Sequence, residues 1–201
     1  MAATPPNLPA TLRTTPITAG LQHRICPTKY AGSEPGFFAG KSGRFDDPDG
    51  IYKTLYCAPT FEVCYSETLL RVRHNTATDQ YEVPKVEHNA RSLSLLLVDF
   101  SKLKIVDLYD GGLQAMGFNY MTVMGEYEET RQLSHAIYHH NDKPDGIAYL
   151  SRFAVGRQPA IVLFDRAQPH VRCVPGLQPI PLPVVPEVFN ALSQTQSIAL
   201  V

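Results

Sequence analysis

The chain has 201 residues, 44% of them hydrophobic, with 18 Lys and Arg against 19 Asp and Glu. That length buries one substantial core but is short for two independent domains. The near-neutral balance supplies no basic surface of the kind that drives nucleic-acid or anionic-membrane binding, so neither partner is expected.

Residues 1–19 are rich in Pro, Thr and Ala without hydrophobic periodicity and read as a flexible N-terminal arm outside the core. They carry neither the basic start nor the apolar stretch of a Sec signal, and no apolar run approaches the roughly 20 residues of a spanning helix. A cytoplasmic chain is expected. Cys26, Cys57, Cys64 and Cys173 form no CxxC pair, which argues for reduced thiols over a disulfide framework or zinc ribbon.

Leu21–Cys26 reads as a first strand, and the long loop 27–50 that follows contains Gly43-Arg44-Phe45. Ordered loops of that length are usually functional. Tyr52–Cys57 is a second strand, after which Pro59-Thr60 opens a helix to about Arg73. Phe61, Cys64, Tyr65, Thr68, Leu69 and Val72 follow the spacing of one buried face, while Val63, Glu67 and Leu70 fall on roughly the opposite side. A helix apolar on two sides is buried on both, which places Glu67 in a partly desolvated position.

Ser92–Val98 and Leu103–Val106 are β-type runs, and Gly111-Gly112 breaks the chain before a short helical stretch. Tyr127–His140 is a second clear helix with Leu133, Ala136, Ile137 and His140 along one stripe. The turn at Pro144-Asp145-Gly146 leads to strands Ile147–Leu150 and Ala160–Phe164. Recurrent prolines from Pro169 onward predict an extended tail over the surface, ending in a short helix at Glu187–Ser193. The pattern is a mixed α/β (α+β) single domain over 20–168, with a Pro-rich tail over 169–201.

Three clusters carry candidate chemistry. In Gly43-Arg44-Phe45 the glycine permits a close bend and the arginine offers a planar fork for phosphate oxygens, against the bland alternative of a solvated turn. Tyr56 ends a strand and Glu67 lies eleven residues later on the succeeding helix, so both side chains could face one cavity; a core tyrosine and a salt-bridged glutamate are the alternative. Tyr149-Leu150-Ser151-Arg152 runs off a strand end, where ligands gather in α/β folds. His135 and His139 have the spacing at which two imidazoles share a metal, but no H-E-x-x-H glutamate or nearby cysteine accompanies them, and no metal is expected.

Taken in order, these clusters resemble the RES-domain family, named for its Arg, Glu and Ser. The resemblance runs from about Leu21 to Arg166 and includes His23-Arg24, Ser42-Gly43-Arg44-Phe45-Asp46, Leu55-Tyr56, Ser66-Glu67, Val106-Asp107-Leu108, the stretch Tyr127–Leu133, Asp145–Arg152 and Leu163-Phe164-Asp165. Phe45 stands where the family usually has Trp, and Gln158 where it has Asn.

The resemblance implies an ADP-ribosyltransferase-like fold with NAD⁺ as substrate in a cleft, and a toxin restrained by a cognate antitoxin. It assigns Glu67 to the developing positive charge on the ribose, Arg24 and Arg44 to the pyrophosphate, Tyr56 to the nicotinamide, and Ser151 and Gln158 to further dinucleotide contacts. Nicotinamide leaves as a neutral molecule, so one carboxylate suffices where a sugar leaving group needs two. Water as acceptor gives a glycohydrolase, phosphate a phosphorylase and a protein side chain an ADP-ribosyltransferase; a degenerate binding module is the non-enzymatic alternative. A homodimer is compatible with a small enzyme of this size.

Overall fold

Short runs rich in Val, Ile and Leu, each stopped by Gly, Pro or Asp, set most of the strands. The computed structural model describes residues 6–71, 73–119, 127–151 and 158–201. Val72 of the expected helix face and Arg152 of the strand-end cluster lie outside the described residues. In chain order the strands are β1 (Leu21–Pro27), β2 (Thr54–Cys57), β3 (His74–Asn75), β4 (Gln80–Val83), β5 (Arg91–Val98), β6 (Ile105–Leu108), β7 (Gly146–Leu150), β8 (Pro159–Phe164), β9 (Val171–Cys173), β10 (Ile180–Pro181) and β11 (Ile198–Leu200). The helices are α1 (Phe61–Tyr65), α2 (Lys85–Asn89), α3 (Gly112–Ala115), α4 (Tyr127–His139) and α5 (Pro186–Gln196).

The central sheet runs β2-β8-β7-β6, antiparallel except for the parallel β6–β7 pair. Both faces of this sheet are covered, so its strands read as nearly continuous apolar runs. Alternation still sorts the side chains. Leu55, Cys57, Ala148, Ile161 and Leu163 pack with Leu96 and Val98 of the second sheet. Val162, Phe164, Ile147 and Tyr149 point the other way, into a larger core with Cys64 and Leu69 after β2 and Leu133 and Ile137 of α4. The second sheet pairs β1 with β5 along their whole length, and β5 also takes β9 and β10. A backbone bridge between His23 and Ala58 joins β1 to the end of β2, which fixes the two sheets at the edge where the site forms.

The segment 6–19 is not free of the core, in contrast to the arm expected there. Leu12 is buried, its amide donates to Asp142 Oδ2 at 2.8 Å, and Thr14 bridges Val106 in antiparallel fashion. Arg13 Nε pairs with the buried Asp107 carboxylate at 3.1 Å. The physical reason is the open edge of β6, whose unpaired backbone groups are satisfied by an extended segment that needs no periodicity of its own.

The tail over 169–201 likewise does more than wrap the surface. Its segments 171–173 and 180–181 extend the β5 sheet, Leu182 and Leu192 are buried, and β11 pairs in parallel with β4. Pro181 is tolerated because it sits at a sheet edge, where no N–H is required of it.

The helix expected after Pro59 begins as such, with Thr60 accepting a capping bond from the Val63 amide at 3.3 Å. It continues from Ser66 to Leu70 as a π-helical turn. Leu69 and Leu70 are fully buried, and the second apolar side was the correct indication of burial around Glu67. All four cysteines are free, and burial pushes the Cys26 and Cys64 thiols up to about 12. Among the described residues no helix is long and apolar enough to cross a membrane.

Candidate active site

Where β1, β2 and the π-helical turn meet, a cavity of about 350 Å³ opens, lined among others by Arg24, Arg44, Tyr56, Glu67, Arg71 and Tyr149. Four of the six expected site residues, Arg24, Arg44, Tyr56 and Glu67, therefore share one wall system. Ser151 is buried just beyond β7 and Gln158 is exposed, and neither lines the cavity.

Glu67 reaches the cavity from the π-helical turn. Such turns are frequent at functional sites, because the changed register re-aims side chains relative to a continuous α-helix. Tyr149 Oη donates to Glu67 Oε2 at 3.1 Å. Burial pushes the Tyr149 hydroxyl well above its ordinary value and the Glu67 charge adds to the effect, so the phenol stays a donor. Among the described residues Glu67 Oε1 has no hydrogen-bond partner, which leaves it available for a ligand hydroxyl.

The loop carrying Arg44 is pinned on several sides. The Asp46 carboxylate accepts from the Gly43 amide at 2.7 Å, the Thr54 hydroxyl at 2.9 Å and the Tyr56 hydroxyl at 3.0 Å. Tyr56 Oη in turn accepts from the Phe45 amide at 2.9 Å. The Phe45 carbonyl accepts from Ser134 Oγ at 2.8 Å, and the buried Phe45 ring lies 4.7 Å from Tyr149. A Cβ at Gly43 would sit 2.5 Å from the Tyr56 hydroxyl, so the close bend requires glycine. Tyr56 thus spends its hydroxyl on the loop, and its ring is what remains to face a ligand.

Arg24, expected as a phosphate contact, lines the cavity with a carboxylate already beside it. Its Nε donates to both Glu34 oxygens, at 2.8 and 3.0 Å, and Nη1 donates to the Tyr56 carbonyl at 3.1 Å. A buried arginine already neutralised by a buried carboxylate braces the wall rather than offering net charge. Three further guanidiniums gather close by. The Arg44 guanidinium lies 4.6 Å from the Tyr127 ring centroid, with those of Arg71 and Arg131 at 5.7 Å each. Arg71 donates to Tyr127 Oη at 3.0 Å and Arg131 to the Gly43 carbonyl at 3.1 Å. One aromatic ring at the start of α4 thus organises three guanidiniums beside the cavity, two of them in its wall. Arg71, Tyr127 and Arg131 were not singled out as site residues; an arginine four residues after Glu67 was the available signal.

Among the described residues, the one grouping with metal-ligand chemistry is Asp47, Asp49 and His135. Asp47 accepts from the backbone of Asp49 at 3.2 Å, Tyr52 at 3.0 Å and Ile51, and from His135 Nδ1 at 3.1 Å. Its work is to close the turn behind the Arg44 loop. The His139 ring lies tilted against that of His135, with centroids 4.5 Å apart.

Comparison with known proteins adds to this geometry. No curated protein matches the chain. The fold is similar to a solved structure described as the M. tuberculosis MbcT–MbcA toxin–antitoxin complex, with a TM-score of 0.59 and 14% identity, covering 84% of this chain and 87% of that one. The family model described as the RES domain matches residues 21–184, which include the cavity residues from Arg24 through Tyr149. The chain belongs to the RES domain family.

Proposed function

We propose that the chain is an enzyme that cleaves the nicotinamide–ribose bond of NAD⁺. The observation that carries this reading is Glu67, held by Tyr149 in a cavity whose wall also bears Arg44 and Arg71. Among the described residues the cavity has one further carboxylate, Asp46, and its oxygens are engaged by Gly43, Thr54 and Tyr56. Among the described residues that leaves Glu67 as the carboxylate for the reaction, which suits a leaving group that departs neutral and needs no acid.

In this mechanism Arg44 and Arg71 hold the pyrophosphate by charge-assisted bonds, which sets the nicotinamide riboside beside Glu67. Glu67 accepts a hydrogen bond from a ribose hydroxyl and stabilises the positive charge that spreads over C1′ and the ring oxygen as the C–N bond breaks. The bonding pair leaves with nicotinamide. Attack of water at C1′ then releases one proton and gives ADP-ribose, whereas attack of phosphate gives the phosphorylated sugar. The Tyr56 ring and the buried Phe45–Tyr149 pair keep the floor dry, which strengthens the Glu67 contribution.

Family membership and the fold similarity to a chain solved in a toxin–antitoxin complex support a wider reading: a cytoplasmic toxin that depletes NAD⁺ and is restrained by a cognate antitoxin protein. The test is nicotinamide release from NAD⁺ in phosphate and phosphate-free buffer, with product identification. Release in both buffers identifies water as acceptor, release only with phosphate identifies phosphorolysis, and no release in either overturns the proposal.

A further inference from the structure

Phe38 and Tyr30 are large aromatic side chains left 37% and 44% exposed, with ring centroids 5.6 Å apart. Exposed aromatics are ordinary when scattered, but Phe38 lines the same concave cavity as Arg71 and Glu67. Tyr149, which bonds Glu67, is almost fully buried, so the reacting end lies on the floor and Phe38 at the rim.

The ring is also set in place. The Phe38 amide donates to the Thr54 carbonyl and the Thr54 amide to the Phe38 carbonyl, both at 3.0 Å, which ties the segment to β2. Glu34, paired with Arg24, accepts from the Gly36 amide at 2.9 Å. A Cβ at Gly36 would overlap the Phe38 ring, so glycine there gives the ring its seat. Backbone pairing on one side and a buried ion pair on the other leave the face pre-organised, which lowers the cost of binding a flat ligand.

We propose that Phe38, flanked by Tyr30, is the stacking face for the purine base of the dinucleotide. The proposal rests on the NAD⁺ reading above: with nicotinamide at Glu67 and the pyrophosphate at Arg44 and Arg71, the base is the part of the substrate left for the rim. A phenylalanine offers no hydrogen bond, so the chemistry it recognises is a planar π-face. Base–aromatic stacking of this kind is sequence-tolerant and accounts for roughly tenfold or more in affinity.

The test is calorimetric titration of the full chain with ADP and, separately, with inorganic pyrophosphate. Phe38→Ala is expected to weaken ADP binding about tenfold and leave pyrophosphate binding unchanged, while Phe38→Trp retains ADP. If Phe38→Ala fails to fold, Phe38→Leu keeps bulk without the π-face and should show the same selective loss. Equal ADP affinity in wild type and variant, equal losses for ADP and pyrophosphate, or no ADP binding by wild type overturns the proposal. Selective loss of ADP binding in a chain that releases no nicotinamide from NAD⁺ would keep the stacking face and reject the cleavage reading, so the two failures are separable.

Discussion

Tyr149 at the end of β7 donates a 3.1 Å hydrogen bond to Glu67 on the π-helical turn, across a sequence separation of 82 residues. The bond orients one carboxylate oxygen and leaves the other for substrate. Tyr149→Phe should lower kcat for nicotinamide release about tenfold with little change in KM, because it loosens a transition-state contact without touching the phosphates. Glu67→Gln should lower kcat by a factor of about 10² to 10³. Since the Tyr149 hydroxyl is held well above its ordinary value, mainly by burial and then by Glu67, it does not titrate in the assay range. Steady-state kinetics of Tyr149→Phe should therefore show a pH profile of wild-type shape.

Arg71 and Arg24, two of the arginines that line the cavity, have different partners and should fail differently. Arg71 bonds only the Tyr127 hydroxyl among the described residues, so Arg71→Ala should raise KM and flatten its dependence on salt, with a Tm change of about 2 °C or less. Arg24→Ala strands the Glu34 carboxylate, 1% exposed, and should cost about 3 kcal/mol of stability. Thermal melts beside kinetics separate the two. A stable, high-KM Arg24→Ala chain would return Arg24 to the phosphate role first expected of it.

The Arg44 loop depends on a seat with no spare volume. Gly43→Ala would drive a methyl into the Tyr56 hydroxyl and the Asp46 carboxylate, both beneath the loop. Loss of nicotinamide release by at least tenfold is expected, from displacement of Arg44. Tyr56→Phe removes the partner of the Phe45 amide and of Asp46 and should cost about 1–3 kcal/mol in denaturant unfolding.

Asp47 makes the same loop acid-sensitive. Burial works to raise its pKa, but bonds from His135 and the amides of Tyr52, Asp49 and Ile51 outweigh it, and the net shift is below the ordinary 3.8. A carboxyl depressed in the folded state stabilises the fold above its ordinary value, and that contribution is lost as pH falls below 3.8. Asp47→Asn should thus be less stable than wild type at pH 7, with the difference shrinking in melts taken below pH 4.

Much of the frame was legible because it is local. β1, β2, β5, β7 and β8 carry short apolar runs with Gly, Pro or Asp close to one end, and α4 carries a 3.6-residue stripe, so each lies within about two residues of its expected place. The docking of Leu12 and Thr14 against β6, and of the segments 171–173 and 180–181 against β5, was not legible. These segments borrow their order from a sheet edge and have no pattern of their own. At the site, Arg44 and Glu67 could be brought together by motif order and Tyr127 with Arg131 by i,i+4 spacing on α4, but Glu34 neutralising Arg24 across a loop and Tyr127 meeting Arg44 and Arg71 are pairings that no local spacing encodes.

The central claim is that Glu67 supports cleavage of NAD⁺ in a cavity ready to hold it. The direct measurement is release of free nicotinamide from NAD⁺ by the purified chain and by Glu67→Gln, each with a thermal melt, in buffers with and without phosphate. The wild-type chain should release nicotinamide in at least one buffer, and a Glu67→Gln chain should melt normally but be slowed by a factor of about 10² to 10³. No release by the wild-type chain in either buffer, or equal rates for a folded Glu67→Gln chain, would contradict it.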